Sequence, residues 1–160
     1  MTKNKVKTNA MRFLDREKMS YAVQTYSIED GLIDGLSVAE KCGEDPAYVF
    51  KTLVTRGHSG ALYVYVIPVA EELDLKKAAA AVGEKKVDML AVKELLVNTG
   101  YVRGGCSPIG MKKHYHTVID DAARTLDHMV VSGGKKGVQI SLAPDALART
   151  AQAEFNSVTH

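Results

Sequence analysis

Two apolar runs, YVFKTLVT (48–55) and ALYVYVIPVA (61–70), lie either side of Gly57 and Gly60. β-branched and aromatic residues bounded by turn residues predict a β-hairpin. A hairpin alone is marginal in water, so the rest of the chain must cover it. A helix is expected over about residues 6 to 18, where Val6, Ala10, Phe13 and Leu14 share a face. A tyrosine-bearing strand, SYAVQTYSI (20–28), leads into the acidic, glycine-punctuated loop EDGLIDG (29–35). Ser37 with Glu40 three positions later then predicts a capping-box start for a short helix stopped by Gly43 and Pro46. LDLKKAAAAVG and AVKELLVNTG read as helices ending at Gly83 and Gly100. Beyond Tyr101, glycine-rich loops join short strands at HTVID, HMVVSGG and GVQISLAP, and a last helix from Pro144 is expected to run through DALARTAQAEF (145–155). Strands and helices do not alternate regularly. The expected fold class is therefore α+β, a single domain (1–160) with a mixed, largely antiparallel sheet.

The chain has 160 residues, 46% of them hydrophobic and 25% charged, enough for one core of ordinary size. Lys and Arg number 21 against 19 Asp and Glu, a net charge of +2, which excludes a binder that grips nucleic acid by bulk charge. With 6% aromatic residues and no Trp, a broad base-stacking platform is also disfavoured. The charge is uneven, however: residues 101–137 hold six Lys or Arg against three Asp. A phosphate-bearing ligand on that side is consistent with the excess. No apolar run has signal-peptide or membrane-spanning length, so a cytoplasmic protein without membrane contact is expected. Cys42 and Cys106, 64 positions apart, read as reduced thiols.

Lys51 sits inside an apolar strand and has two readings. As a solvent-face lysine it shares a strand face with Leu53; as a cleft lysine it binds a phosphate or carbonyl oxygen, or acts as a base. Gly105 and Gly110 have P-loop spacing, but Met111 stands where the lysine must be and no Ser or Thr follows Lys112, so that reading fails. The segment around Gly104 and Gly105 is then either a tight turn ended by Pro108 or a place where backbone N–H groups meet a ligand. Ser132-Gly133-Gly134-Lys135-Lys136-Gly137 is likewise a hairpin turn or an anion nest. His114 and His116 fall on one strand face, but no CxxC, HxxxH or HExxH accompanies them, so no metal site is expected. Cys106 reads as a small apolar plug, and Ser107 lacks the G-x-S-x-G elbow.

Taken in order, TNAMRFLD, VFKTLV, ELDLKKAAAAVGEKKVDM, VKELLVNTGYVRGGCSPIGMKK, VVSGGKKG and LAPDALAR run over nearly the whole chain. Together they resemble the YbaK family of free-standing aminoacyl-tRNA editing proteins, in its EbsC-like branch, relatives of the editing domain inserted in bacterial prolyl-tRNA synthetase. The resemblance implies a barrel-like sheet flanked by helices, no cofactor, and cleavage of the ester that joins a wrong amino acid to tRNA, typically cysteine on tRNA(Pro). It assigns the leading role to Lys51, with Gly104 and Gly105 stabilising developing negative charge. Tyr26, Thr52, Tyr101, Gly35, Ser132, Gly133, Gly134 and Lys135 are expected to bind the substrate, the acceptor end of an aminoacyl-tRNA.

Members of this type rely on the substrate's own thiol, which attacks its ester and leaves as a thiolactone. Two departures bear on specificity: Asp34 stands before Gly35 where several members carry an aromatic, and Gln139 where some carry an acid. The small net charge suits a protein that contacts only the acceptor end, with prolyl-tRNA synthetase as partner supplying tRNA selectivity. Competing readings are a deacylase for another small amino acid, such as alanine, and a non-catalytic module that binds tRNA or a synthetase.

Overall fold

The computed structural model describes residues 7–160, so Val6 of the expected first helix lies outside the described residues. In chain order the elements are α1 (Asn9–Arg16), β1 (Ala22–Thr25), α2 (Gly35–Lys41), β2 (Phe50–Gly57), β3 (Leu62–Pro68), α3 (Leu75–Val82), β4 (Val87–Met89), α4 (Val92–Thr99), β5 (His116–Asp120), β6 (Met129–Ser132), β7 (Val138–Leu142), α5 (Pro144–Ala151) and β8 (Ala153–Asn156). Single 3-10 turns precede β2 (Pro46–Tyr48) and follow β5 (Asp121–Thr125).

The expected hairpin forms, with β2 antiparallel to β3 from Phe50↔Pro68 to Arg56↔Leu62. It is the centre of a five-stranded sheet, order β4-β2-β3-β5-β8, in which β3, β5 and β8 run parallel. A second, antiparallel sheet has the order β1-β7-β6. Cross-strand neighbours share a face, so the hairpin buries both sides. Phe50, Val66 and Ile119 meet Ile140, Val131, Leu14 and Leu147 between the sheets and helices α1 and α5. Tyr65, Ile67 and Val118 pack under Ala78 and Ala79 of α3.

The mixed α+β class is observed; the barrel-like closure is not. Where β2 could pair with β6, a single parallel bridge forms, Val49↔Val130. The same edge of β2 is taken by β4 only at Thr55–Gly57, with one further bond from Leu90 N–H to Val54 O at 3.0 Å. No described strand pairs with residues 50–53 on that edge, so the two sheets part there and leave an opening.

Several expected boundaries move, each for a local reason. The last helix stops at Ala151, where Gln152 adopts φ 52° and ψ 49°, and Ala153–Asn156 becomes β8, with Phe155 turned into the core and Glu154 outward. An unpaired edge of β5 is thereby covered. α2 begins two residues before the expected cap, because the Asp34 carboxylate accepts from Ser37 N–H and from the Ser37 hydroxyl. α1 is shorter than expected, capped by Thr8, and β1 spans only Ala22–Thr25.

A side-chain chain fixes the second sheet to the start of β2. The His128 ring stacks on Tyr48 at 4.5 Å, its Nε2 meets Glu44 at 3.2 Å, and the other Glu44 oxygen accepts from Gln24 Nε2 at 2.9 Å. Asp127 and then Glu44 raise the His128 pKa above its ordinary value. A raised folded pKa gives stability that is full below the unfolded pKa and lost as pH rises through the folded one. Thermal melts of the protein and of His128→Ala should therefore differ by a few degrees near pH 5.5 and by less near pH 8.5; a difference independent of pH would show that only the ring stacking matters.

Candidate active site

The opening at the unpaired edge of β2 is a cleft of about 110 Å³. Its apolar wall is Ile33, Val38, Val49, Phe50 and Val69; Tyr26, Lys51, Thr52, Ser132 and Gln139 supply polar groups, and Gly35, Gly104 and Cys106 complete it. No Asp, Glu or His lines it. Lys51 is half-buried, lines this cleft and has neither an ion pair nor a hydrogen bond among the described residues.

Loop 26–35, which carries Tyr26, Ile33 and Gly35, is held from below by Lys41. Its ammonium donates to Ser27 O (2.8 Å), Asp30 Oδ1 (2.7 Å) and Leu32 O (2.9 Å), and lies 5.9 Å from the Tyr26 ring centroid. At Gly35 an added Cβ would stand 2.4 Å from Val69 Cγ1, so only glycine lets α2 lie against the end of β3. The opposite wall depends on Gly105, where a Cβ would meet Lys135 Cα at 2.9 Å and Lys136 N at 3.0 Å. Two glycine-rich loops thus touch backbone to backbone.

Three of the polar groups near the cleft share one row, and a fourth lies beside it. Gln24, Gln139 and Ser132 are aligned across β1, β7 and β6, and Tyr26 follows two residues after Gln24. Within this region Tyr26 OH, Thr52 Oγ1, Gln139 Oε1 and Gln24 Oε1 are buried without a hydrogen-bond partner. Burial pushes the Cys106 thiol up to about 12. The thiol therefore stays protonated near neutral pH, which disfavours it as a nucleophile.

Of the residues singled out in the sequence, Lys51, Thr52, Tyr26, Gly35, Gly104 and Ser132 converge on the cleft. Tyr101 is buried behind it, its hydroxyl donating to Ile109 O at 2.6 Å. Gly133 and Gly134 form the β6–β7 turn, where the Thr8 hydroxyl donates to Gly133 O at 2.5 Å. Lys135 lends its backbone to the contact with Gly105 and has an exposed side chain. The Gly105 N–H is engaged by Val102 O at 3.0 Å, so it cannot receive an oxyanion; the Gly104 N–H has no partner among the described residues. Asp34 points to its own helix cap, and Ile33 takes the place on the cleft wall. His114 and His116 bind Ala151 O and the Glu154 carboxylate, and among the described residues no three potential metal ligands cluster.

The model of the aminoacyl-tRNA editing domain matches residues 36–150, which include Lys51, Gly104 and Ser132 of the cleft. The chain belongs to the aminoacyl-tRNA editing domain family. It is 45% identical over 157 residues, 98% of this chain and 96% of its relative, to EbsC of Enterococcus faecalis, assigned as a Cys-tRNA(Pro)/Cys-tRNA(Cys) deacylase. Its fold matches a solved structure assigned as a trans-editing enzyme for prolyl-tRNA synthetase, with TM-score 0.83, 20% identity, and 98% and 99% of the two chains covered. A hypothetical protein of known structure matches with TM-score 0.86 at 18% identity, covering 95% and 99%. The expected family resemblance is therefore borne out.

In this editing domain a second, more apolar groove of about 310 Å³ adjoins the cleft, sharing Thr52, Gly104 and Cys106 with it and bounded by Met89, Leu90, Val92, Leu95 and Arg103. Lys136 carbons lie within 3.6 Å of the Cβ position of Gly104, so Arg103 and Lys136 put cations beside the junction. Lys41 and the apolar wall residues carry no sequence signal of their own: a lysine in a short helix reads as surface, and isolated valines read as core.

Lys41→Ala frees the loop without emptying the core, so KM should rise about tenfold with little change in Tm; an unchanged KM would separate the loop from binding. Gly105→Ala forces backbone apart and should cost about 1–3 kcal/mol in chemical denaturation together with activity. Wild-type stability in that variant would contradict the packing.

Proposed function

We propose that this protein is a trans-editing deacylase that removes cysteine mischarged on tRNA(Pro), and that the substrate's own thiol performs the attack. The observation that carries this reading is a small cleft with a lysine and neutral polar groups but no carboxylate, imidazole or ionisable thiol to serve as base or nucleophile. An aminoacyl ester is already activated, and correct positioning with electrostatic stabilisation supplies most of what its cleavage needs. The cysteinyl Sγ attacks the ester carbonyl carbon, the bond to the ribose oxygen of the terminal adenosine breaks, and the thiol proton passes to that oxygen. The products are tRNA and a four-membered thiolactone.

Lys51 and the Gly104 N–H stabilise the charge that develops on the carbonyl oxygen. The nucleoside follows from the ester linkage into the adjoining apolar groove, with Arg103 and Lys136 near its phosphate. Such a site reads the amino acid and the acceptor end rather than the body of the tRNA. The assignment of the Enterococcus faecalis relative to both tRNA(Pro) and tRNA(Cys) fits that division, with selectivity for tRNA(Pro) coming from prolyl-tRNA synthetase.

Ester loss from Cys-tRNA(Pro), followed with the purified protein, should be accelerated over buffer and fall by about 100-fold or more in Lys51→Ala at unchanged Tm. Full activity in that variant would overturn the role of Lys51. Tight binding without turnover would favour a non-catalytic module, and preferential cleavage of Ala-tRNA(Pro) would favour alanine as the target.

A further inference from the structure

Gln139 lies in the middle strand of the small sheet, between Gln24 and Ser132 in register, and is 6% exposed. Gln139, Tyr26 and Thr52 line the cleft, and Gln139 Oε1, Tyr26 OH and Thr52 Oγ1 are buried without a hydrogen-bond partner. A buried acceptor left unpaired costs about 1–3 kcal/mol, and three in one small cleft are stable as a group when a ligand brings the missing donors. A ligand group with several N–H donors on one atom, small enough to fit beside the ester, can serve these oxygens together.

In an aminoacyl ester the α-amino group meets both conditions, since it is one bond from the carbon that bears the carbonyl. Lys51 in the same cleft, with no acidic side chain lining it, weighs against tight capture of a cation. Neutral oxygens accept from an amine and from an ammonium alike.

We infer that Gln139, with the Tyr26 and Thr52 hydroxyls, forms a subsite for the free α-amino group of the aminoacyl ester and restricts the enzyme to substrates that possess one. N-acylated esters, such as peptidyl-tRNA, lose donors and bring bulk into a cleft of about 110 Å³, and are refused. Gln139 is a positioning and specificity residue; it takes no part in the bond changes. The inference rests on the deacylase reading.

The test compares Cys-tRNA(Pro) with 3-mercaptopropionyl-tRNA(Pro), which keeps the thiol and lacks only the amino group, each rate divided by its rate in buffer. The wild-type protein should prefer the cysteinyl ester by about 100-fold or more. Gln139→Met, close in shape, should reduce that preference to within about tenfold, Tyr26→Phe should reduce it less, and Gln139→Glu, which restores an acceptor, should keep it. The preference is a ratio within one protein, so partial misfolding of a variant cancels. Equal acceleration of both esters by the wild type, or an undiminished preference in Gln139→Met, overturns the subsite and leaves the deacylase reading standing. No acceleration of either ester overturns both.

Discussion

Everything in the site follows from a strand edge that is only partly used. β2 is bonded to β3 along its whole length, but on its other edge it meets β4 at Thr55–Gly57 and β6 at the single residue before the strand begins. Closing that gap would give a continuous sheet and no cavity. Leaving it open sets Phe50, Lys51 and Thr52 beside an opening that glycine loops and the small sheet can wall. The central hairpin has buried neighbours on both faces, so the gap is built on the most constrained part of the molecule.

The walls explain the chemistry the cleft can perform. Lys51 has no acidic neighbour in the cleft, and the remaining polar groups are neutral. An ammonium without an ion-pair partner is expensive in an apolar strand, and it is tolerated here because the cleft keeps it in reach of solvent or of a substrate oxygen. No carboxylate or imidazole lines the cleft, and the proposed reaction therefore draws on the ester and its side chain. Burial of Cys106 and Tyr101 removes the two groups that a reader of the sequence might otherwise press into service. Their part is to hold the Tyr101–Gly110 loop in place behind Gly104.

The hairpin, the glycine-stopped helices and the strand position of Lys51 were legible in the sequence because each depends on local pattern: apolar runs, breakers, a charge inside a run. The segment AQAEF was not. It continues an α5-like composition, and its conversion to β8 is imposed by the free edge of β5, whose paired residues lie 36 positions earlier in the chain. β4 is three residues long and owes its existence to β2. Asp34 displaces Ser37 as helix cap because both side chains can cap and the Asp34 carboxylate takes up both the N–H and the hydroxyl of Ser37. Within the site, Lys51, Thr52 and Gly104 were readable as a motif. The occupied N–H of Gly105 and the orphaned oxygens of Tyr26, Thr52 and Gln139 exist only once three separate segments meet.

In the proposed reaction the cleft positions the ester and the substrate's own side chain supplies the nucleophile. The most direct measurement compares single-turnover ester loss from Cys-tRNA(Pro) and Ser-tRNA(Pro), which differ by one atom, sulfur for oxygen. Cleavage of the cysteinyl ester faster by about two orders of magnitude or more, with a thiolactone trapped by added amine, is the result this account predicts. Equal rates for the two esters would mean that water attacks, and would contradict it.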